Sequence, residues 1–295
     1  ANRAADSTTP YPTGHRSRWL YPAMVGAAVI GALAVWKPWR TAESKSQANP
    51  AAVSVSEPSR LVAKAWEQMD KTEMARNELL LAEGFCRQAA ALEETNPAVW
   101  AAWSAMNTWY YFHQFERLPA RKEAARDYAQ KALALDPKSY EARYAGAHFI
   151  VRTTAEGKTG DERPALPILR ELRREQPDEP RALYALGFGL LADPANADEG
   201  FALLERLAEK HPWFAGRALN ELGWMALFYG RLGLAESAAD RALKAQPYWN
   251  NIGLKATLAL RLRGDVELAQ STIDRLPPSA LQENWGISLA VTVAD

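Results

Sequence analysis

From Pro58 onward the apolar positions recur every three to four residues, the period of an amphipathic helix. Leu61, Ala65, Trp66 and Met69 mark one face of a first helix. Leu79, Leu80, Ala82, Phe85, Ala89 and Leu92 mark a second, which ends near Asn96-Pro97. Four prolines then punctuate the pattern: Pro137, Pro177, Pro212 and Pro247, separated by 40, 35 and 35 residues. Each is preceded by two periodic segments. Trp103, Met106 and Tyr110 come before Ala125, Ala129 and Ala132; Gly146, Ala147 and Ile150 come before Ala165, Leu169 and Leu172. Leu183, Leu186, Gly187 and Leu190 come before Gly200, Leu204 and Leu207. A sixth unit runs through Ala256, Leu260, Gly264, Ala269, Ile273 and Leu276 to Pro277-Pro278. The residues in excess of the family period fit into two extended inter-helix loops, 113–121 and 153–163.

Arg217 to Pro247 shows the unit most clearly. Two helical segments are joined by Tyr229-Gly230-Arg231-Leu232-Gly233. Gly223 and Ala235 are small enough for antiparallel helices to approach closely. Gly230 supplies the positive φ of a tight turn, and Pro247 stops the second helix. Leu222, Gly223, Ala226, Gly230, Ala235, Ala239, Ala242 and Pro247 together resemble the tetratricopeptide repeat (TPR) family, whose period is about 34 residues. The resemblance implies an all-α fold, a right-handed solenoid of about six hairpins over residues 58–295. A single hairpin cannot bury its own apolar face, so its neighbours must cover it.

In TPR arrays the first helix of each hairpin lines the concave face and supplies the ligand contacts. Carried onto this chain, that implies a groove of Tyr144, His148 and Arg152, then Arg181, Tyr184 and Phe188. Arg217, Asn220, Trp224 and Phe228 continue it, followed by Asn251, Leu254 and Arg261. Aromatic and arginine side chains along a groove suit a protein or peptide ligand. The family's carboxylate-clamp subset needs Lys and Asn at set groove positions, and only scattered Arg and Asn stand here. The dense run Trp100, Trp103, Trp109, Tyr110, Tyr111, Phe112 is expected to fill the joint beside the longer loop, with a binding patch as the second reading. Ser279–Asp295 reads as the first helix of a further hairpin; Val291 and Val293 give it no polar capping face, so the array is expected to be truncated or closed by another molecule.

The first 57 residues differ. Residues 1–18 are polar and carry two prolines, a disordered flank. Residues 19–36 form an uncharged run, WLYPAMVGAAVIGALAVW, which as a helix spans about 27 Å against a hydrocarbon core of ~30 Å. Trp19, Tyr21 and Trp36 sit at its ends, Arg16 and Arg18 precede it, and Lys37 and Arg40 follow. A transmembrane anchor is the reading adopted, with a lipid bilayer as partner through residues 19–36 and a flexible linker over 37–57. A cleaved signal peptide, with a small-x-small site at Ala32-Leu33-Ala34, and a buried core helix are its competitors. Ala27/Gly31 and Ala28/Ala32 would allow a weak homodimer. The arrangement is similar to bacterial single-pass inner-membrane proteins whose TPR body is periplasmic.

Charge and chemistry narrow the function further. The net charge is zero, but six basic residues against two acidic ones put the first 47 residues at +4 and the remainder at −4. An acidic body argues against nucleic acid as a partner. The single cysteine, Cys86, excludes an intrachain disulfide and is expected to pack as a small apolar group. His15, His113, His148 and His211 show no metal-ligand spacing, so no metal and no cofactor is expected. Gly157-Lys158-Thr159 imitates the end of a phosphate loop, but Arg152 stands where its first glycine would be. With no nucleophile–base arrangement either, the expectation is a membrane-tethered scaffold without catalysis of its own. Two alternatives stay open. One is the sensory or output half of a larger signalling protein, a one-component regulator or Ser/Thr kinase whose cytoplasmic domain is absent. The other is an exported soluble TPR protein.

Overall fold

The computed structural model describes residues 55–71, 75–113, 115–116, 118–154 and 164–276. These residues form six helical hairpins: α1 (Glu57–Asp70) with α2 (Arg76–Leu92), α3 (Pro97–Phe112) with α4 (Pro119–Leu135), and α5 (Tyr140–Thr154) with α6 (Ala165–Glu175). Then come α7 (Pro180–Leu190) with α8 (Ala197–Lys210), α9 (Ala215–Phe228) with α10 (Leu232–Ala245), and α11 (Trp249–Arg263) with α12 (Val266–Ile273). The two expected loops follow α3 and α5 but are shorter than the spacing implied, since Pro119–Arg121 already belong to α4 and Thr153–Thr154 still belong to α5. Arg121 ties the first of them down, with Nε 2.7 Å from Glu116 Oε2 and Nη1 3.0 Å from Asn107 Oδ1.

The repeat-ending prolines work as the spacing implies. α4, α6, α8 and α10 each stop two residues before one, and the residue between is extended: Asp136 (φ −150°), Gln176 (φ −132°), His211 (φ −125°) and Gln246 (φ −154°). A residue preceding proline is pushed out of the α region, so four hairpins leave their second helix along a similar path. Gly230 has φ +69° after α9. There the Arg231 N–H bonds the Ala226 carbonyl at 2.8 Å and the Gly230 N–H bonds the Leu227 carbonyl at 3.0 Å, a Schellman motif. Gly223 is approached most closely by the next hairpin and not by its own partner helix: a Cβ there would lie 2.5 Å from Leu254 Cδ2 of α11, against 3.5 Å from Ala238 Cβ of α10.

The two helices of a hairpin play different parts. First helices of successive hairpins touch one another: α1 with α3, α3 with α5, α5 with α7, and α9 with α11. They form the inner layer and are buried nearly all round; every residue of α7 from Ala182 to Leu190 is buried. Second helices form the outer layer and bury a narrow stripe. In α4 this is Ala125, Ala129 and Ala132, and in α10 Ala235, Ala238, Ala239 and Ala242. Cys86 is fully buried on α2, as expected; burial, and then Glu83, push its thiol up to about 12.

The array curls back on itself. Trp66 of α1 meets Tyr144 of α5 edge to face at 5.9 Å, and the Arg181 guanidinium of α7 lies 4.6 Å from the Trp66 ring. Arg181 Nε also donates to both Asp70 oxygens, at 3.1 and 3.0 Å. Arg217 of α9 donates to the carbonyls of Met69 (2.9 Å) and Lys71 (2.8 Å) at the end of α1. Both carbonyls lie at the end of α1, where the helical hydrogen-bond ladder runs out, and each charge-assisted bond to one contributes roughly 1.5–3 kcal/mol. The first hairpin thus reaches the fifth across the inner face.

Ser56 caps α1 with its hydroxyl 3.3 Å from the Ser59 N–H, so the first helix begins one residue inside the expected linker. No helix among the described residues is long and apolar enough to cross a membrane. The expected anchor at 19–36, the flank 1–18, the linker through residue 54, the loop Gly157-Lys158-Thr159 and the segment Ser279–Asp295 lie outside the described residues.

Two glycines three residues apart give opposite expectations for unfolding in urea. Gly230→Ala places a Cβ at φ +69° and should cost about 1 kcal/mol. Gly233, inside α10 with open space where a Cβ would go, should gain roughly 0.5 kcal/mol as alanine. Equal shifts of the two midpoints would contradict the turn assignment.

Candidate functional site

The residues that the repeat register places on the concave face are mostly enclosed. Tyr144, His148, Arg152, Tyr184, Phe188, Arg217, Asn220 and Asn251 are buried, and Arg181 and Trp224 are half-buried. Nine of them gather at the centre of the inner face, because α1 lies across it. Four do not join them; one, Leu254, is fully buried against Gly223 where α11 meets α9. Asn251 turns its amide to the Ala242 and Gln246 carbonyls (3.0 and 2.9 Å) and closes the end of α10. Phe228 is 81% exposed at the end of α9, and Arg261 is exposed on α11. The open groove implied by the family geometry is therefore replaced by a filled interior with a smaller opening.

Arg152 is the middle of that interior. It is 1% exposed, and its guanidinium lies 3.9 Å from the Phe188 ring, 4.5 Å from Phe112, 4.7 Å from Tyr184 and 5.0 Å from Trp109. A desolvated cation held against aromatic faces recovers about 2 kcal/mol of the cost of burial, far from all of it. Glu221 of α9 supplies the remainder: its Oε2 accepts from Arg152 Nη1 at 3.1 Å and from the Tyr184 hydroxyl at 2.8 Å. Arg152 Nε and Nη2 are buried without a hydrogen-bond partner among the described residues. Trp109 and Phe112, expected to fill a joint, do so by forming this cage.

Beside the cage is a cavity of about 240 Å³. Trp109, Phe112 and His113 from the end of α3 form one wall, and Tyr184 the floor. Arg217, Asn220, Glu221 and Trp224 of α9 form the second wall, and Tyr248, Trp249 and Asn250 at the start of α11 the third. His113 packs on Trp109 (5.3 Å, 18°) and meets Trp249 edge to face at 6.0 Å. The Asn220 amide donates to the Asn250 carbonyl at 3.0 Å, which fixes the α9–α11 joint. Aromatic walls with a few convergent polar groups are the ordinary composition of a binding pocket. A second cavity, of about 340 Å³, is lined by Ser59, Val62 and Trp66 of α1 together with Tyr144 and Arg181.

The register brought Tyr184, Arg217, Asn220 and Trp224 to this cavity and passed over Glu221, His113, Tyr248, Trp249 and Asn250. Glu221 follows Asn220 directly, and a lone carboxylate among the groove positions Arg217, Asn220, Trp224 and Phe228 was the available signal. The Tyr248-Trp249-Asn250 segment follows a repeat-ending proline, where the family pattern places no ligand contact.

No protein-family profile matches the sequence, and no curated protein matches it. Solved structures do. The chain is similar to PilW, a widely conserved type IV pilus biogenesis factor, at 17% identity over 81% of this chain and 98% of that one, with a TM-score of 0.53. It is also similar to TTC0263, a TPR protein of Thermus thermophilus, at 19% identity over 64% and 97% (TM-score 0.48). A third is YrrB, a TPR protein with an unusual peptide-binding site, at 18% identity over 69% and 90% (TM-score 0.39). At such identities the likeness concerns the fold alone, and the fold is a TPR-like solenoid of helical hairpins.

Two histidines at the site give a pH expectation. Neither ring nitrogen of buried His148 has a hydrogen-bond partner among the described residues, and the ring stacks on Tyr144 at 5.4 Å. Burial, then Arg152 and Arg217, hold its pKa well below the usual histidine range. Burial, then Arg217 and Arg152, lower His113 to about 3. Unfolded, both take up protons near pH 6.5, so below that pH the unfolded chain binds more protons and stability falls as pH drops toward 3. The melting temperature should therefore decline from pH 7 to pH 4, and His148→Phe should flatten the decline. An unchanged slope in that variant would show that His148 is not held neutral.

Proposed function

We propose that this chain is a protein- or peptide-binding adaptor that receives its partner at the 240 Å³ cavity between α3, α7, α9 and α11. The observation that carries this reading is the cavity wall itself. Trp224 and Trp249 are half-buried in that wall, and the same cavity is lined by Arg217, Glu221 and two asparagines. Aromatic anchors next to arginine are the composition of binding hot spots. The rest of the inner face is occupied by α1 and by the Arg152 cage, so an extended peptide lying along the whole array does not fit this geometry.

Selection of a random peptide library on the full-length chain tests the reading. Retained peptides should lose about tenfold or more in affinity with Trp224→Ala and with Trp249→Ala, the usual effect of truncating an aromatic anchor. Peptides that bind both variants unchanged, or no retained peptide, would refute it.

The adaptor is further proposed to be tethered to the bacterial inner membrane through residues 19–36, with its repeat body on the periplasmic side. The support is the uncharged 18-residue run with aromatic ends. The full chain should float with liposomes in a density gradient at high salt, and a chain lacking residues 1–36 should stay at the bottom. Equal behaviour of the two would remove the tether.

A further inference from the structure

In the outer layer, α2 differs from its counterparts. The later second helices turn charged residues to solvent: Arg126 and Asp127 on α4, Arg206 and Glu209 on α8, Asp240 and Lys244 on α10. α2 packs through Leu79, Ala82, Cys86 and Ala89, and its opposite side carries Leu80, Leu81, Gly84, Gln88 and Leu92. The apolar period put Leu80 and Leu92 on the packed face, yet Leu80, Leu81 and Leu92 are 48%, 52% and 60% exposed. Among the exposed residues of α2 from Asn77 to Leu92, Arg87 is the one that carries a charge. A terminal repeat normally turns a polar outer face to water, and an apolar face of this kind marks a contact.

Gly84 lies in the middle of that side. Glycine weakens a helix interior, and a Cβ there would meet nothing within 4 Å among the described residues, so packing within this chain does not call for it. A notch between leucines is what a second helix needs to approach closely, since the distance between packed helices is set by the side chains at the crossing.

The face also suits a copy of itself. Two-fold symmetry sets one surface against the same surface, so charge at the centre would repel. Here the centre is uncharged, and Arg87 at its edge lies 3.6 Å from Glu83 of the same helix. A bilayer fits less well: the exposed side has no aromatic ring and a single cation, and a glycine notch adds nothing to insertion.

We propose that α2 is a homodimer contact, in which two copies of this chain cross at Gly84 with Leu80, Leu81 and Leu92 packed around the crossing. α2 spans 17 residues, about 25 Å, so one such contact falls short of the roughly 1,200 Å² of a standard interface. The dimer is therefore reversible and depends on concentration. Among the described residues α2 contributes nothing to the inner-face cavity, so loss of this dimer and loss of peptide binding are independent results.

The test weighs the full-length chain in nonionic detergent by analytical ultracentrifugation, over about a hundredfold range of concentration. A monomer–dimer equilibrium is expected. Leu80→Glu combined with Leu81→Glu changes two exposed positions, so it should leave the melting temperature unchanged and weaken association about tenfold or more. Gly84→Leu makes the face more apolar and the helix stronger. A merely sticky patch would then associate more tightly, whereas a close crossing should associate about tenfold less. Gly84→Cys, oxidised with copper phenanthroline, should give a disulfide-linked dimer on a non-reducing gel. Gln130→Cys on the exposed side of α4 should not, nor should the native chain, whose Cys86 is buried. Monomer throughout, tighter association of Gly84→Leu, or equal cross-linking from Gly84 and Gln130 would overturn the proposal. A dimer abolished by Gly31→Leu and untouched by the α2 variants would place the contact in residues 19–36 and overturn it too. So would a double-glutamate variant of unchanged mass that floats less with liposomes, because the face would then meet lipid.

Discussion

The contact on which the interior depends is Arg217 holding the last carbonyls of α1. A helix end leaves several carbonyls without partners, and in most hairpins of an array these face solvent or the next turn. Here the first helix ends inside the curl, and a guanidinium from the fifth hairpin satisfies Met69 and Lys71. Arg181 reinforces the joint through Asp70 and Trp66. A solenoid held only by nearest neighbours has one-dimensional cooperativity; a bond between the first and fifth units couples hairpins that are not neighbours in the chain. The same bond commits part of Arg217 and leaves the rest facing the cavity.

Burial then follows from the closure. With α1 across the inner face, side chains that would line an open groove are removed from water, and each polar one needs a partner. Arg152 is met by four aromatic rings and Glu221. Tyr184 gives its hydroxyl to the same carboxylate. Among the described residues His148 finds no hydrogen-bond partner, and it remains uncharged between Tyr144 and Trp109. The interior is thus a polar network inside an apolar shell, in which removing one charge would leave another buried and unpaired. What remains open is the cavity beside α11, where Trp224 and Trp249 are only half covered.

That opening gives the adaptor reading a specific form. A TPR-like fold by itself is compatible with many partners, and a likeness to a solved structure at 17% identity concerns the fold alone. The cavity wall combines aromatic rings with Arg217, Glu221 and two asparagines. Recognition of a short, chemically defined feature suits a protein whose groove is mostly occupied by its own first helix.

Local rules were legible in the chain. Proline spacing marks where each second helix stops, because a residue before proline leaves the α region and proline itself cannot continue the ladder. Gly230 marks the turn because its φ is positive, and the alanine stripes mark the outer helices because only small side chains permit that approach. These depend on near neighbours, and near neighbours are adjacent in sequence. The site is different. Residues such as Arg152 and Trp224 were recognisable as inner-face positions from the repeat register, but the register supposes a groove open along its length. Asp70 meets Arg181, and Met69 meets Arg217, across separations of 111 and 148 residues. Whether α1 lies across the inner face depends on the small rotation between successive hairpins, summed over several units. No single residue encodes that sum, so the sequence determined the hairpins and their inner surface, and only the tertiary structure decided which part of that surface is filled and which part is left to bind.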